Sequence, residues 1–210
     1  MPSAGAVRFA PVTLSGRHVR LEPMSLAHLD GLRAAGADPE IFAWYPFPVS
    51  GAQNMRAFVE SALKDQEQGK ALPFVFIEPA TGAVIGSSRF GAIEASHRRA
   101  EIGWTWLTPR VQRTPVNTEA KLLMLGHAFE ALQLIRVEFK TDSLNQKSRN
   151  ALLRIGAAEE GTFRNHMVTH SGRLRHSVYF SVIDADWPAV KARLEDKLAR
   201  PRAVLQEVNS

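Results

Sequence analysis

Hydrophobic residues recur at two spacings along this chain, and the spacings mark out its elements. Met55, Phe58, Val59, Ala62 and Leu63 fall on one stripe of a helix predicted over 52–68, which Gly69 ends. Leu26, Leu29 and Leu32 share a face just after Ser25, a residue type that caps helix starts. Leu122, Leu123, Met124, Leu125, Ala128, Phe129 and Leu132 make 115–132 apolar nearly all round, so that helix is expected to lie buried against a sheet. Strands show as alternation instead. Ile135, Val137 and Phe139 alternate with Arg136, Glu138 and Lys140, and Ile102, Trp104 and Trp106 alternate with Glu101, Gly103 and Thr105 over 99–107. Further strands are predicted over 19–21, 74–78, 83–90, 161–168 and 174–183, with the turn Pro79-Ala80-Thr81-Gly82 making a hairpin of the second and third. Asn145 opens a helix that Gly156 closes, and a last helix covers 186–199.

The resulting order β, α, α, β, β, β, α, β, α, β, β, α predicts a mixed α/β domain with a hairpin meander and at least one parallel crossover. One domain is expected over 12–200, between a small, Pro/Ala-rich tail at 1–11 and a short tail at 201–210; 210 residues suit that division. The absence of cysteine excludes disulfides, thiolate metal sites and a cysteine nucleophile. His166 and His170 have a helical spacing but fall on strand and turn, so no metal site is expected. The N-terminus lacks a basic start followed by an apolar core, and no run approaches the roughly 18 apolar residues of a membrane span. A cytoplasmic protein without a membrane partner is the expectation.

A net charge of +5 and a pI near 9.9 fit either a nucleic acid or a small polyanion as partner. The basic residues are dispersed and do not interleave with aromatics as an RNA-binding sheet requires, so the small polyanion is favoured.

Thr114-Pro115 gives that polyanion a place. Threonine at the cap and proline at the first helical position start a helix firmly. The amides of Val116, Asn117 and Thr118 then face outward at the positive end of the helix dipole, and Arg110 and Arg113 stand just before them. The same residues also read as a capped helix with two solvated arginines. On the strand before, Glu101 could take a proton from an attacking ammonium, or be a solvated glutamate on an open face, and Gly103 leaves room for a close approach. Glu101→Gln is expected to slow turnover most at low pH, where the amine is hardest to deprotonate. Asn145 and Ser148 could hydrogen-bond an amide-rich arm or a leaving thiol, or simply cap their helix. Trp44 and Tyr45 either grip an acceptor or pack the helices, and Arg89 and Arg164 could meet an acidic acyl tail.

Ala100-Glu101-Ile102-Gly103-Trp104, Asn117-Thr118-Glu119-Ala120-Lys121, Phe129-Glu130, Arg136-Val137, Asn145 with Ser148, and Gly156-Ala157 with Glu160-Gly161, in this order, resemble the GNAT N-acetyltransferase superfamily. The opening Gly16-Arg17-His18-Val19-Arg20-Leu21-Glu22-Pro23 and the ending Val178-Tyr179-Phe180-Ser181-Val182 with Asp186-Trp187 resemble the branch that modifies ribosomal-protein N-termini. The resemblance spans residues 13–198. It implies a mostly antiparallel sheet with one splayed parallel pair, the Glu101 and Ile135 strands, and acetyl-CoA (coenzyme A) lying between them. It implies direct attack of a peptide or small-molecule amine on the thioester, with Glu101 as base and Ser148 or water as acid, since no tyrosine follows before Tyr179. Cofactor contacts are expected from Trp106, Leu107, Arg110, Gln112, Arg113, Thr114, Val116, Asn117, Thr118, Asn145 and Ser148, and acceptor contacts from Trp44, Tyr45 and Arg89. The family's phosphate loop, Gln/Arg-x-x-Gly-x-Gly/Ala, is matched at Gln112, but Pro115 replaces its first glycine and Asn117 its second small residue. A non-catalytic CoA-binding module, a succinyl-CoA-type acyltransferase and a homo-oligomer stay open.

Overall fold

The computed structural model describes residues 7–200; the outer parts of the two expected tails, 1–6 and 201–210, lie outside the described residues. Eight strands form one sheet: β1 (Leu14–Ser15), β2 (Arg20–Pro23), β3 (Leu72–Ile77), β4 (Val84–Glu94), β5 (Arg99–Leu107), β6 (Arg136–Asp142), β7 (Ala158–Val168) and β8 (Leu174–Ile183). Five α-helices accompany them: α1 (Leu29–Ala35), α2 (Ala52–Glu67), α3 (Pro115–Gly126), α4 (Gln146–Ile155) and α5 (Trp187–Ala199). The sheet order is β1-β2-β3-β4-β5-β6-β8-β7, and each pair is antiparallel except β5–β6. That one parallel pair is the crossover expected from the sequence, with α3 as its connection. No helix among the described residues is long and apolar enough to cross a membrane.

Two cores lie on the two faces of the sheet. The larger joins Phe74, Phe76, Ile102, Val137, Phe139 and Phe180 of the strands to Met124 and Phe129 of the α3 segment, Ile155 of α4, and Trp187 and Leu194 around α5. Burying each of its phenylalanines contributes on the order of 1.5–3 kcal/mol. The smaller core packs Leu32 of α1 and Met55, Phe58 and Val59 of α2 over Val75, Ile77 and Trp106. It contains no residue of β6, β7 or β8. On that side those strands present Glu138, Lys140, Asp142, Arg175, Ser177 and Tyr179, which the register brings onto one face. Half of one sheet face is therefore helix-covered and apolar, and the other half is polar.

The helix over 115–132 is not a single element: α3 stops at Gly126, and a wider π turn carries His127–Ala131. Glu119 of α3 is buried, and its carboxylate accepts the backbone N–H groups of Arg17 (2.9 Å), His18 (2.5 Å) and Val19 (2.8 Å), which ties the β1–β2 hairpin to the helix. Phe9, inside the expected N-terminal tail, packs edge-on against Phe90 with ring centroids 5.8 Å apart.

Strand β5 corrects a second expectation. Simple alternation placed Trp104 and Trp106 with Ile102. Instead, the register shifts between Ser87↔Trp106 and Arg89↔Gly103, so two steps on β4 span three on β5, and Trp104 takes φ 50°. Such a bulge reverses the facing of every later residue. Thr105 joins the face of Ile102 and meets Lys121 of α3, whereas Trp104 and Trp106 pack on the α2 side. Opposite the bulge, Gly86 has φ 159°, and a Cβ there would run into the Trp106 carbonyl, so the close strand approach needs glycine.

Candidate active site

Strands β5 and β6 pair over only three residues, Arg99↔Arg136, Ala100↔Val137 and Glu101↔Glu138, and then part. Beyond Glu101 the facing edges of the two strands have no ladder partner, while their outer edges are paired to β4 and β8. Unpaired backbone edges seek amide-like partners, so this opening suits an extended, amide-bearing ligand.

The loop that leaves β5 is held by its own side chains. Gln112 Nε2 donates to the Leu107 carbonyl at 2.9 Å, and Lys147 at the start of α4 donates to Gln112 Oε1. The two helix starts thus meet at the mouth of the opening. Thr114 caps α3 as expected: its hydroxyl donates to the Val111 carbonyl at 2.7 Å and accepts the Val116 N–H at 3.3 Å. Of the three amides expected to face an anion, that of Val116 is therefore engaged by the cap. Arg113 takes a left-handed φ of 59° that turns the chain into the helix. Arg110 forms a two-pronged pair with Glu78, at 2.7 and 3.0 Å, which holds the Glu78 carboxyl down at about 2. Asn117 and Thr118 occupy the first turn of α3, half-buried. Asn145 Oδ1 accepts the Ser148 N–H at 3.0 Å, so Asn145 caps α4 and places Ser148 one turn in. Leu107 is buried in the larger core and Trp106 in the smaller, edge-on to Phe42 at 5.3 Å.

Glu101 stands where the strands part. It is 5% exposed, far from the solvated glutamate that its sequence also allowed. Lys140 Nζ lies 3.2 Å from Glu101 Oε2. Burial pushes its carboxyl above the usual range, and the Lys140 ammonium opposes that shift. Beyond Lys140, Tyr179 lies with its ring 5.9 Å from Lys140 Nζ. His166 Nδ1 contacts Ser177 Oγ at 3.0 Å, and Arg175 Nε donates to the same hydroxyl at 3.2 Å. Burial, then the Lys140 and Arg175 cations, push the His166 imidazole down.

The three expected acceptor residues separate. Trp44 faces the β7–β8 hairpin: Arg173 sits over its ring at 5.8 Å, and Arg175 Nη1 donates to its carbonyl at 3.5 Å. Tyr45 is half-buried instead, its hydroxyl enclosed and its ring edge-on to Phe42 and Phe58, and burial pushes its phenol up. Arg89 is buried between the rings of Trp104 (4.3 Å) and Phe58 (5.2 Å), with Asp65 at 3.4 Å. Burial brings its guanidinium down to about 10, so it stays charged at neutral pH. It lines a cleft of about 350 Å³ with Asp65, Lys70, Glu94 and Trp104.

Lys121, Lys140 and Arg175 were not singled out for a role by their sequence context, and His166 was weighed only as a metal ligand with His170. Lys121 carries a visible signal, a lysine directly before the apolar run Leu122-Leu123-Met124-Leu125 of a helix expected to be buried. It is 6% exposed; Nζ donates to Thr105 Oγ1 at 3.2 Å and lies 5.3 Å over the Phe139 ring.

A sheet that opens between its one parallel pair, with a capped helix start at the mouth, is the architecture of acyltransferases of the GNAT type. The family model for the acetyltransferase (GNAT) domain matches residues 18–158, and the chain belongs to this family, whose members use acetyl-CoA. A GCN5-related N-acetyltransferase from Brucella melitensis superposes with a TM-score of 0.84 at 33% identity, over 91% of this chain and 87% of that one. YdaF of Bacillus subtilis (strain 168), named a "Putative ribosomal N-acetyltransferase", is 31% identical over 110 residues, which is 52% of this chain and 59% of that protein. The match thus spans less than two thirds of that relative. Mycobacterium smegmatis RimJ, solved in complex with CoA-disulfide, shares the fold with a TM-score of 0.77 at 21% identity, over 89% of this chain and 95% of that one.

Proposed function

We propose that this protein transfers an acetyl group from acetyl-CoA to a primary amine by direct attack, with no acyl-enzyme. The observation that carries the reading is the opening between β5 and β6 at Glu101, in a chain of the GNAT family. Bound there, acetyl-CoA supplies an activated thioester. The start of α3, set by the Thr114 cap, with the amides of Asn117 and Thr118 and the side chain of Arg113, holds the pyrophosphate. Arg110 joins it on exchanging Glu78 for phosphate. Asn145 and Ser148 at the start of α4, and the β5 edge at Trp106 and Leu107, hold the amide-bearing arm. Gln112, tied to Leu107 and Lys147, keeps both helix starts in register.

Glu101 takes the proton of the acceptor ammonium. A carboxyl raised by burial is a better base near neutral pH than a solvated one. The polar half-face beyond it, with Lys140, His166, Arg175 and Tyr179, together with Trp44 and the Arg89 cleft, receives the acceptor. An extended groove beside a β-hairpin suits a peptide N-terminus, and the name carried by YdaF supports the same class.

Two measurements test this. Calorimetric titration with CoA should show a 1:1 complex, and free-thiol release should follow addition of acetyl-CoA with a panel of peptide and small amines. No binding at millimolar CoA would sink the reading. Binding without turnover across the panel would favour a non-catalytic CoA-binding module, an alternative that Pro115 and the engaged Val116 amide support.

A further inference from the structure

Lys121 is buried without a countercharge. An ammonium carries three donors. One N–H goes to Thr105 Oγ1 and a second contact is the Phe139 ring, which leaves donor capacity unused. Lys121 forms no ion pair among the described residues. The carboxylates of the elements around it are engaged elsewhere: Glu119 by three backbone amides, Glu101 and Glu138 by cations on the opposite sheet face. A buried cation with no partner costs stability, and an apolar residue of the same size would be the more stable choice. The site is built for an anion that arrives with the ligand.

Its position says which anion. Thr105 lies on β5 and Phe139 on β6, and both come after the last ladder pair, Glu101↔Glu138. Lys121 therefore spans the floor of the opening where the strands part, on the side opposite Glu101. Thr105 Oγ1 is itself held by Ser88 Oγ at 2.8 Å, and Ser88 donates to the Gly103 carbonyl at 3.2 Å, which fixes the hydroxyl that accepts from the ammonium.

We propose that Lys121 meets the sulfur of the acyl donor, stabilising the departing CoA thiolate and returning a proton to it. This rests on the acyl-CoA reading. Glu101 passes the ammonium's first proton to water; the free amine nitrogen then bonds to the thioester carbon and loses its second proton to Glu101, which releases it to water. The carbon–sulfur bond breaks with its electron pair on sulfur. The Lys121 ammonium faces that charge and donates a proton, giving a neutral thiol, and water returns a proton to Lys121. Burial brings the ammonium down to about 7, so it gives up a proton readily near neutral pH. Lys121 thus supplies the acid for which the sequence offered Ser148 or water.

The test uses the full chain as wild type, Lys121→Arg and Lys121→Met, with CoA as probe. Binding is measured by calorimetry, and ionisation of the bound thiol by its thiolate absorbance across pH. In Lys121→Arg, whose charge does not titrate, the bound thiol should ionise about tenfold more readily than free CoA, a shift of one pH unit. Wild-type Lys121, brought down to about 7, loses its own proton before the thiol ionises, so the shift should be largely absent there. Lys121→Met should lack it while melting at the same temperature or higher, the opposite of what a structural lysine would give. In turnover, Lys121→Met should lower kcat at least tenfold with the acceptor KM unchanged. Equal thiol ionisation in Lys121→Arg and Lys121→Met would overturn the Lys121 role and leave the acyl-CoA reading standing. Failure of the wild type to bind CoA would overturn that reading and, with it, this one.

Discussion

The carboxylate of Glu101 occupies the space that a side chain at Gly103 would need: a Cβ at residue 103 would lie 2.6 Å from Glu101 Oε1. The glycine, expected to admit a ligand, makes room for the chain's own acid two residues earlier. The Gly103 backbone does not demand glycine, so Gly103→Ala tests placement of the carboxylate alone. The methyl group should push the carboxylate off Lys140 and cut kcat about tenfold or more, a loss of about 1.4 kcal/mol in transition-state stabilisation. The melting temperature should move by no more than about 4 °C, the shift expected for 1 kcal/mol in a chain of this size. Unchanged kcat by free-thiol release would show that the carboxylate's position does not matter to turnover.

Burial of Glu101 changes where the loss in Glu101→Gln should fall. The sequence alone suggested the largest effect at low pH. A carboxyl raised above 4.5 is protonated there and cannot act as a base, so wild type and variant should converge. The gap should open as pH rises through the raised value, reach about 10²-fold or more, and close again once free amine is abundant. Stability carries its own sign. The folded protein holds a proton that the unfolded chain releases, so wild-type stability falls as pH rises from 4.5 through the folded value. Glu101→Gln should lack that decline, which melting curves across pH would reveal.

Local chemistry was legible and long-range geometry was not. Thr114-Pro115 and Asn145 cap their helices as their types dictate, because a cap needs only neighbours two or three residues away. The partners of Arg110 and Gln112 stand 32 and 35 residues away, and no pattern along the chain announces them. The alternation of β5 failed for the same reason: its bulge is set by the register with β4, where Gly86 lets the Trp106 carbonyl approach. The parallel pair followed from element order and its splaying from the family resemblance, but the point where it parts, after Glu101↔Glu138, is a property of the sheet.

Asn145 has two roles that a pair of substitutions separates. Its Oδ1 caps α4, so Asn145→Ala should cost about 1 kcal/mol of stability. That corresponds to a fall of about 2–4 °C in melting temperature. Asn145→Asp keeps the acceptor and should keep the melting temperature, but it loses the amide donor. If that donor holds the CoA arm, both variants should weaken CoA binding in calorimetry. Full affinity in Asn145→Asp would confine Asn145 to the cap.

Pro115 stands at the first position of α3 and offers no N–H where a phosphate would be bound, and the next amide, of Val116, is engaged by Thr114. Pro115→Ala restores a donor at the helix start without disturbing the Thr114 hydroxyl. A hydrogen bond to a charged acceptor contributes about 1.5–3 kcal/mol. Losing proline's restraint on the unfolded chain removes about 0.4–1 kcal/mol of stability. The net expectation is tighter CoA binding, by about tenfold, together with a slightly lower melting temperature. Calorimetry on both proteins at one salt concentration decides it, because phosphate contacts weaken as salt rises. Affinity unchanged or reduced in Pro115→Ala would mean that residue 115 does not face the pyrophosphate, and would leave Asn117, Thr118 and the arginines as its support.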